Sequence, residues 1–414
     1  MTEASSPSST RSESAPWIPD LLFAVVVGAV CYGLSCLILA PAAEAVTFGA
    51  EWQKMSTAPF DLLGQFPQRI LGPLLAHVLG MGGDLFVPFV RGLAVLLLAT
   101  VCFFARRRGA QFVDAALIAL AVSVTAAIQM YKQHWVGFVD PLCYSLFFTM
   151  WLAERRPAVF WALYFCNLMN HELAAFLLPW AWFVRRRIDG NWRVDVVGAG
   201  AALAVYAAFY MWVKANAPAQ AYSYEYFKDH PLFPGGTFVV ISLAISHWVV
   251  AFGPVLAVVA WHFHVRDGRR ERFHLGWVLL GIAVIFCIAF DWARHANLIV
   301  LPFVLASIRF LASGQRTIYV ALVLLGAGLM AWIPPWTASS WPIAVMADIK
   351  LWVETGVVVI VNGDYFPGTL ESATQRWLPR VALLLGSVLA IGAAIWATGF
   401  ALARGRKAAP RVAS

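Results

Sequence analysis

The chain has 414 residues, 61% of them hydrophobic and 13% charged, against about 25% charged in an average soluble domain. Its formal net charge of +8 would suggest a nucleic-acid partner in a soluble protein. Here Lys and Arg fall in short clusters between apolar runs, where they set membrane topology. The composition excludes a separate soluble domain and points to an all-α, polytopic transmembrane helix bundle with membrane lipids around it and no nucleic acid.

In chain order, residues 1–19 are Ser/Pro-rich with mixed charge and read as a disordered tail. They lack the basic start and small-residue cleavage site of a signal peptide, so the first span is expected to be retained. A single transmembrane domain then covers 20–403. Its spans are expected at 20–42, 85–105, 112–131, 135–153, 194–215, 237–262, 274–291, 297–312, 317–335 and 380–403, each near the roughly 20 residues needed to cross a bilayer. Basic clusters lie at Arg106 to Arg108, Arg155 and Arg156, Arg185 to Arg187, 266–272, Arg316, and the basic tail 404–414. With both termini cytoplasmic, every cluster faces the cytoplasm.

The segment between two of these clusters cannot be one span. Only 28 residues separate Arg156 from Arg185, yet both clusters belong on the same side. The segment must go out and return as a broken or half-length helix pair, each arm about 12 residues or roughly 18 Å long. Asn170, His171 and Glu172 fall at its tip. Broken backbone within a membrane is tolerated only where protein or a water-filled cavity covers it, so the triplet predicts the lining of an outward cavity.

Three outer loops are long: 43–84, 216–236 and 336–379. In the first, the apolar stretch from Ile70 to Leu79 is too short to span and predicts an interfacial amphipathic helix. Other polar residues also gather at outer ends of spans: Asp140, then Asp291, Arg294 and His295, with His247 midway along its span. Intramembrane ionisable residues are costly and are either functional or paired. Both readings stay open at this point, because Asp140, His171, Glu172, Asp291 and Arg294 would also serve as ion pairs locking helices together. Glu44 and Asp61 read as solvated loop charges.

All six cysteines, Cys31, Cys36, Cys102, Cys143, Cys166 and Cys287, lie in apolar segments, which indicates neither a disulfide framework nor a zinc site. "HELAA" from His171 lacks the second His of a zincin motif. The glycine-rich 196–203 lies within a span, where small residues serve helix packing.

Several short motifs, spread over about 250 residues, resemble bacterial membrane proteins related to the GT-C glycosyltransferases. They are Glu51-Trp52, Pro59-Phe60 and Gln68-Arg69-Ile70-Leu71-Gly72-Pro73-Leu74-Leu75 in the first outer loop, then Asp140-Pro141, His171-Glu172, and Asp291 with Arg294. The resemblance implies a multi-pass protein of the bacterial inner (plasma) membrane. It further implies a polyprenyl-phosphate sugar as donor, a site on the outer (periplasmic) face, and a catalytic acidic residue in the first outer loop. That loop has Glu51 where Asp is expected and no DxD, so no metal ligand is assigned.

Glycosyl transfer needs a base for the acceptor hydroxyl and cations for the departing phosphate. Glu51 and Glu172 are the candidate catalytic carboxylates. Arg69 and Arg294 suit phosphate because the guanidinium fork binds it bidentately. Gln68, Asp140, His171, Asp291 and His295 complete the candidate substrate-binding set, with Asp140 and Asp291 orienting the arginines. An alternative of another class is a transporter or flippase of a lipid-linked or anionic solute, in which the broken hairpin would be a discontinuous helix pair.

Overall fold

The computed structural model describes residues 17–46, 48–62, 66–132, 135–186, 192–217, 252–264, 269–286 and 292–332. These residues are helical with no strand among them. Helices α1 (Trp17–Ile38), α2 (Phe48–Met55), α3 (Leu71–Val78), α4 (Phe86–Arg107), α5 (Phe112–Ser123) and α6 (Ala126–Gln129) come first. They are followed by α7 (Asp140–Leu152), α8 (Pro157–Asn170), α9 (Leu173–Phe176), α10 (Leu178–Arg186) and α11 (Trp192–Asn216). The last described elements are α12 (Leu256–His264), α13 (Arg269–Phe286), α14 (Trp292–Ala296), α15 (Val300–Ala312) and α16 (Arg316–Trp332).

Among the described residues, four helical stretches are long and apolar enough to cross a membrane: Trp17–Ile38, Gly83–Arg107, Trp192–Asn216 and Arg294–Ala312. The count of about ten spans is not established, because 380–403 and much of 237–262 lie outside the described residues. Helix α1 shows how such a helix packs. It buries a small and polar stripe of Asp20, Ala24, Gly28, Cys31 and Ser35, while Leu22, Val26 and Leu37 point outward and are exposed. Large aliphatics outside and small residues inside are the arrangement that lipid favours. A Cβ on Gly28 would sit 2.8 Å from the Ala99 backbone nitrogen, so glycine is what lets α1 and α4 touch.

Arginine–carboxylate pairs tie helix ends together at one end of the bundle. Arg106 Nη2 lies 3.0 Å from Asp20, Arg108 Nη2 3.0 Å from Glu154, Arg185 Nε 2.8 Å from Asp195 and Arg316 Nε 2.6 Å from Asp114. Arg185 also donates to the Glu154 carbonyl. That contact brings the end of α10 back beside the chain entering α8, so the chain runs out along α8, turns at His171 and Glu172, and returns along α9 and α10. The turn therefore lies at the end of the bundle opposite the arginines.

Two spans read from sequence have different forms. Residues 112–132 are not one straight helix but α5 and a second piece, Ala126–Lys132, bent by 63°. No proline or glycine marks the break. Polar side chains take over backbone carbonyls there: Ser123 Oγ donates to Leu120 O at 2.8 Å, Thr125 Oγ1 to Val122 O at 2.8 Å and Gln129 Nε2 to Ser123 O at 2.7 Å. The span expected at 135–153 becomes helical only at Asp140, where Pro141 occupies the first turn. Proline's fixed φ and missing N–H suit that position. Ahead of it Gly137 adopts φ +94°, a conformation open to glycine. The loop so formed pairs with the chain after α1, through Ala42 N–H to Lys132 O at 2.7 Å and Val46 N–H to Val136 O at 3.1 Å.

Candidate functional site

The ionisable residues at the end opposite the arginine belt form one connected cluster. Arg69, just ahead of α3, grips Glu172 with both edges of its guanidinium: Nε to Oε2 at 2.8 Å and Nη2 to Oε1 at 2.5 Å. The Phe66 ring lies 4.3 Å from the guanidinium carbon and the Trp52 ring 5.9 Å from it. The two members differ in access, since the Arg69 side chain is 9% exposed and that of Glu172 29%. Glu172 is the edge of the cluster that meets the surroundings.

The second pair lies deeper. Arg294 Nε donates to Asp140 Oδ1 at 3.0 Å, and each side chain is 1% exposed. The Phe138 and Trp135 rings stand 4.8 and 5.6 Å from the Arg294 guanidinium carbon, and cations over aromatic faces gain about 2 kcal/mol when desolvated. Tyr144, one turn along α7 from Asp140, donates its hydroxyl to the Arg294 carbonyl at 3.0 Å and meets the Tyr131 hydroxyl at 3.0 Å. This fixes α14, and so Arg294, from the backbone side.

His171 joins the two pairs. Its Nε2 accepts from Arg294 Nη2 at 2.7 Å and lies 3.9 Å from Asp140 Oδ1; its Nδ1 lies 3.6 Å from Glu172 Oε2. The Leu173 N–H also points at Nδ1, at 3.2 Å. Arginine can only donate, so Nε2 has to be an acceptor, which an imidazolium cannot offer; a neutral ring has one acceptor nitrogen and keeps its proton on Nδ1, facing Glu172 Oε2. The imidazole is therefore uncharged, and among the described residues the cluster holds two guanidinium and two carboxylate groups.

Arg69, Asp140, His171, Glu172 and Arg294 thus come together. His295 adjoins them, with its ring 6.2 Å from that of His171 and edge-on to it. Gln68 is buried beside Arg69 in sequence. Glu51 is half-buried on α2, next to Trp52. Asp291 and His247 lie outside the described residues. Among the described residues no three His, Cys, Asp or Glu side chains converge as metal ligands would.

Sequence reading overlooked Tyr131, Trp135, Phe138, Tyr144 and Asn297 as parts of the site, whereas Asn170 belongs to the triplet expected to line it. The density of aromatic residues around Asp140 in "MYKQHWVGFVDPLCY" was the available signal. Asp140 Oδ2, Asn170 Oδ1 and Asn297 Oδ1 are buried with no hydrogen-bond partner among the described residues. Buried acceptors are rarely left so, and these are suited to hydroxyl donors. Comparison of the chain with protein-family models, curated proteins and solved structures finds no match.

Proposed function

We propose that this protein is a GT-C-like membrane glycosyltransferase, moving a sugar from a polyprenyl-phosphate donor to an acceptor at the outer face of a bacterial inner membrane. The observation that carries the reading is the two-pronged grip of Arg69 on Glu172. A fork that holds a carboxylate in this way fits two phosphate oxygens equally well. Donor phosphate taking the place of Glu172 on Arg69 would release that carboxylate beside the scissile bond.

In the step this implies, the acceptor hydroxyl oxygen bonds to the anomeric carbon and its proton passes to Glu172. The bond from that carbon to the phosphate oxygen breaks, and its electron pair leaves on a phosphate neutralised by Arg69. Arg294 lends charge from behind, oriented by Asp140 and His171. Glu172 is the better base than Glu51 because it is already within hydrogen-bond distance of the phosphate-binding guanidinium. The acceptors on Asp140, Asn170 and Asn297 would take sugar hydroxyls.

A transporter or flippase of a lipid-linked or anionic solute is the second reading, and the 63° break between α5 and α6 favours it. Together with the His171–Glu172 turn it supplies two interrupted helices, as many transporters have at their substrate sites. Native mass spectrometry in mild detergent tests the donor site common to both readings. Wild type should retain polyprenyl-phosphate sugar and Arg69→Ala should lose it. Equal retention of bulk phospholipid alone, even with polyprenyl phosphate added in excess, would defeat the proposal.

A further inference from the structure

Helices α8 and α11 set out side by side from the arginine end of the bundle. Trp161 Nε1 on α8 donates to Asp195 Oδ1 in the first turn of α11 at 3.0 Å, and Arg185 Nε donates to the same oxygen at 2.8 Å. A Cβ on Gly198 would collide with the Trp161 ring, so glycine is what lets the indole lie against α11. Between the two helices runs a groove of about 560 Å³, lined on α8 by Pro157, Trp161 and Phe165 and on α11 by Val194, Gly198 and Val205, with only apolar residues along it. Trp161 is its fixed floor, because the indole N–H is already satisfied by Asp195.

Length and charge together say what fits. From Val194 to Val205 the groove follows α11 for roughly 16 Å, close to half of a hydrocarbon layer of about 30 Å, which is the depth of one leaflet. At its arginine end, Arg155 and Arg156 directly precede Pro157 and Arg193 directly precedes Val194, and all three arginines are exposed. The carboxylates flanking them are already engaged, Glu154 with Arg108 at 3.0 Å and Asp195 with Arg185 at 2.8 Å. Both helices begin at this end, so their first N–H groups add to the positive potential there. The mouth of an apolar, leaflet-deep groove is therefore cationic.

We infer that the groove between α8 and α11 binds an anionic phospholipid, with one acyl chain lying along it and the phosphate meeting Arg155, Arg156 and Arg193 at its mouth. The lipid belongs to the leaflet beside the arginine belt, the cytoplasmic one by the positive-inside rule. A groove with a fixed aromatic floor holds one tail in one place, and the arginines select the headgroup. The mouth lies at the end of the bundle opposite Glu172, so the inference stands without the transferase reading.

Lipid titration of the full chain in mild detergent, read by native mass spectrometry as the binding constant of the first lipid, tests it. Dioleoyl phosphatidylglycerol is the anionic probe and dioleoyl phosphatidylcholine, with the same tails, the zwitterionic one. Phosphatidylglycerol should bind at least about fivefold more tightly, and Arg156→Gln and Arg193→Gln should each weaken it about fivefold, as loss of one basic residue facing an anionic lipid does. Ala201→Trp places a ring in the groove and should abolish retention of the first lipid. Ala207→Trp, exposed on the same helix but outside the groove, should leave it unchanged. Both arginines are exposed, so their variants report on the site even if Ala201→Trp misfolds. Equal binding of the two lipids would overturn the assignment to an anionic headgroup. Phosphatidylglycerol binding unchanged in Ala201→Trp and in both arginine variants would overturn the inference altogether; a dimer that Ala201→Trp dissociates would then assign the groove to a second copy of the chain, and a monomer throughout would assign it to another segment of the same chain.

Discussion

Replacing Asp140 by Asn removes one charge from the deepest pair of the cluster and little volume. Arg294 and Asp140 are each 1% exposed, with Nε and Oδ1 3.0 Å apart, so the buried guanidinium would lose the carboxylate that neutralises it at this distance. Breaking a buried pair from one side costs about 3–5 kcal/mol. The hydrogen bond to His171 and the two aromatic faces remain, and Asn keeps an acceptor, so the lower end applies: about 3 kcal/mol, or roughly a hundredfold in the folding equilibrium. The double variant Asp140→Leu/Arg294→Met removes both charges. Apolar replacement of a whole buried pair is often neutral or better, so it should fall within about 1 kcal/mol of wild type. Reversible unfolding in mixed micelles measures all the variants. A single-variant loss below about 1 kcal/mol, or a double variant no better than Asp140→Asn, would refute the claim that charge compensation holds Arg294 in place.

Three further outcomes follow from the packing. Gly28→Ala should destabilise the α1–α4 contact by about 1–3 kcal/mol, the usual range for overpacking, because the added carbon would lie 2.8 Å from Ala99 N; unfolding in the same micelles reads it. Gly137→Val should impair folding more than Gly92→Val, since Gly137 has φ +94° and lies against Gly49, whereas nothing crowds Gly92; the yield of monodisperse protein after size-exclusion chromatography compares them. In a cysteine-free background, Thr57→Cys should react with a membrane-impermeant maleimide added outside intact cells and Gln111→Cys should not. Labelling in the reverse pattern would invert the proposed topology.

The features legible in the sequence were those written as long-range constraints. Apolar run length announced a helical membrane protein, and α1, α4 and α11 lie close to the expected 20–42, 85–105 and 194–215. The turn at His171 and Glu172 was readable because two arginine clusters 28 residues apart had to share a side. Arg185 meets Glu154 there, and α3 occupies the short apolar stretch from Ile70 to Leu79. The break after Ser123 was hidden, because it is made by Ser, Thr and Gln side chains bonding to nearby carbonyls rather than by proline or glycine. The late start of α7 was in plain view as Gly137 and Asp140-Pro141, but an apolar run obscured it. Which carboxylate would take which arginine could not be read, because partners such as Arg69 and Glu172 lie far apart in sequence and only folding pairs them.

The measurement that bears most directly on the transferase reading is the conversion of polyprenyl-phosphate sugar to polyprenyl phosphate. It is best followed by mass spectrometry in membrane vesicles that carry the protein and their own acceptors. Wild type should form the product. Glu172→Gln should slow its formation at least about a hundredfold, the lower end of the range for loss of a general base, while donor is still retained. Product formed equally by wild type and Glu172→Gln, or donor carried intact across the bilayer with no product, would contradict the account.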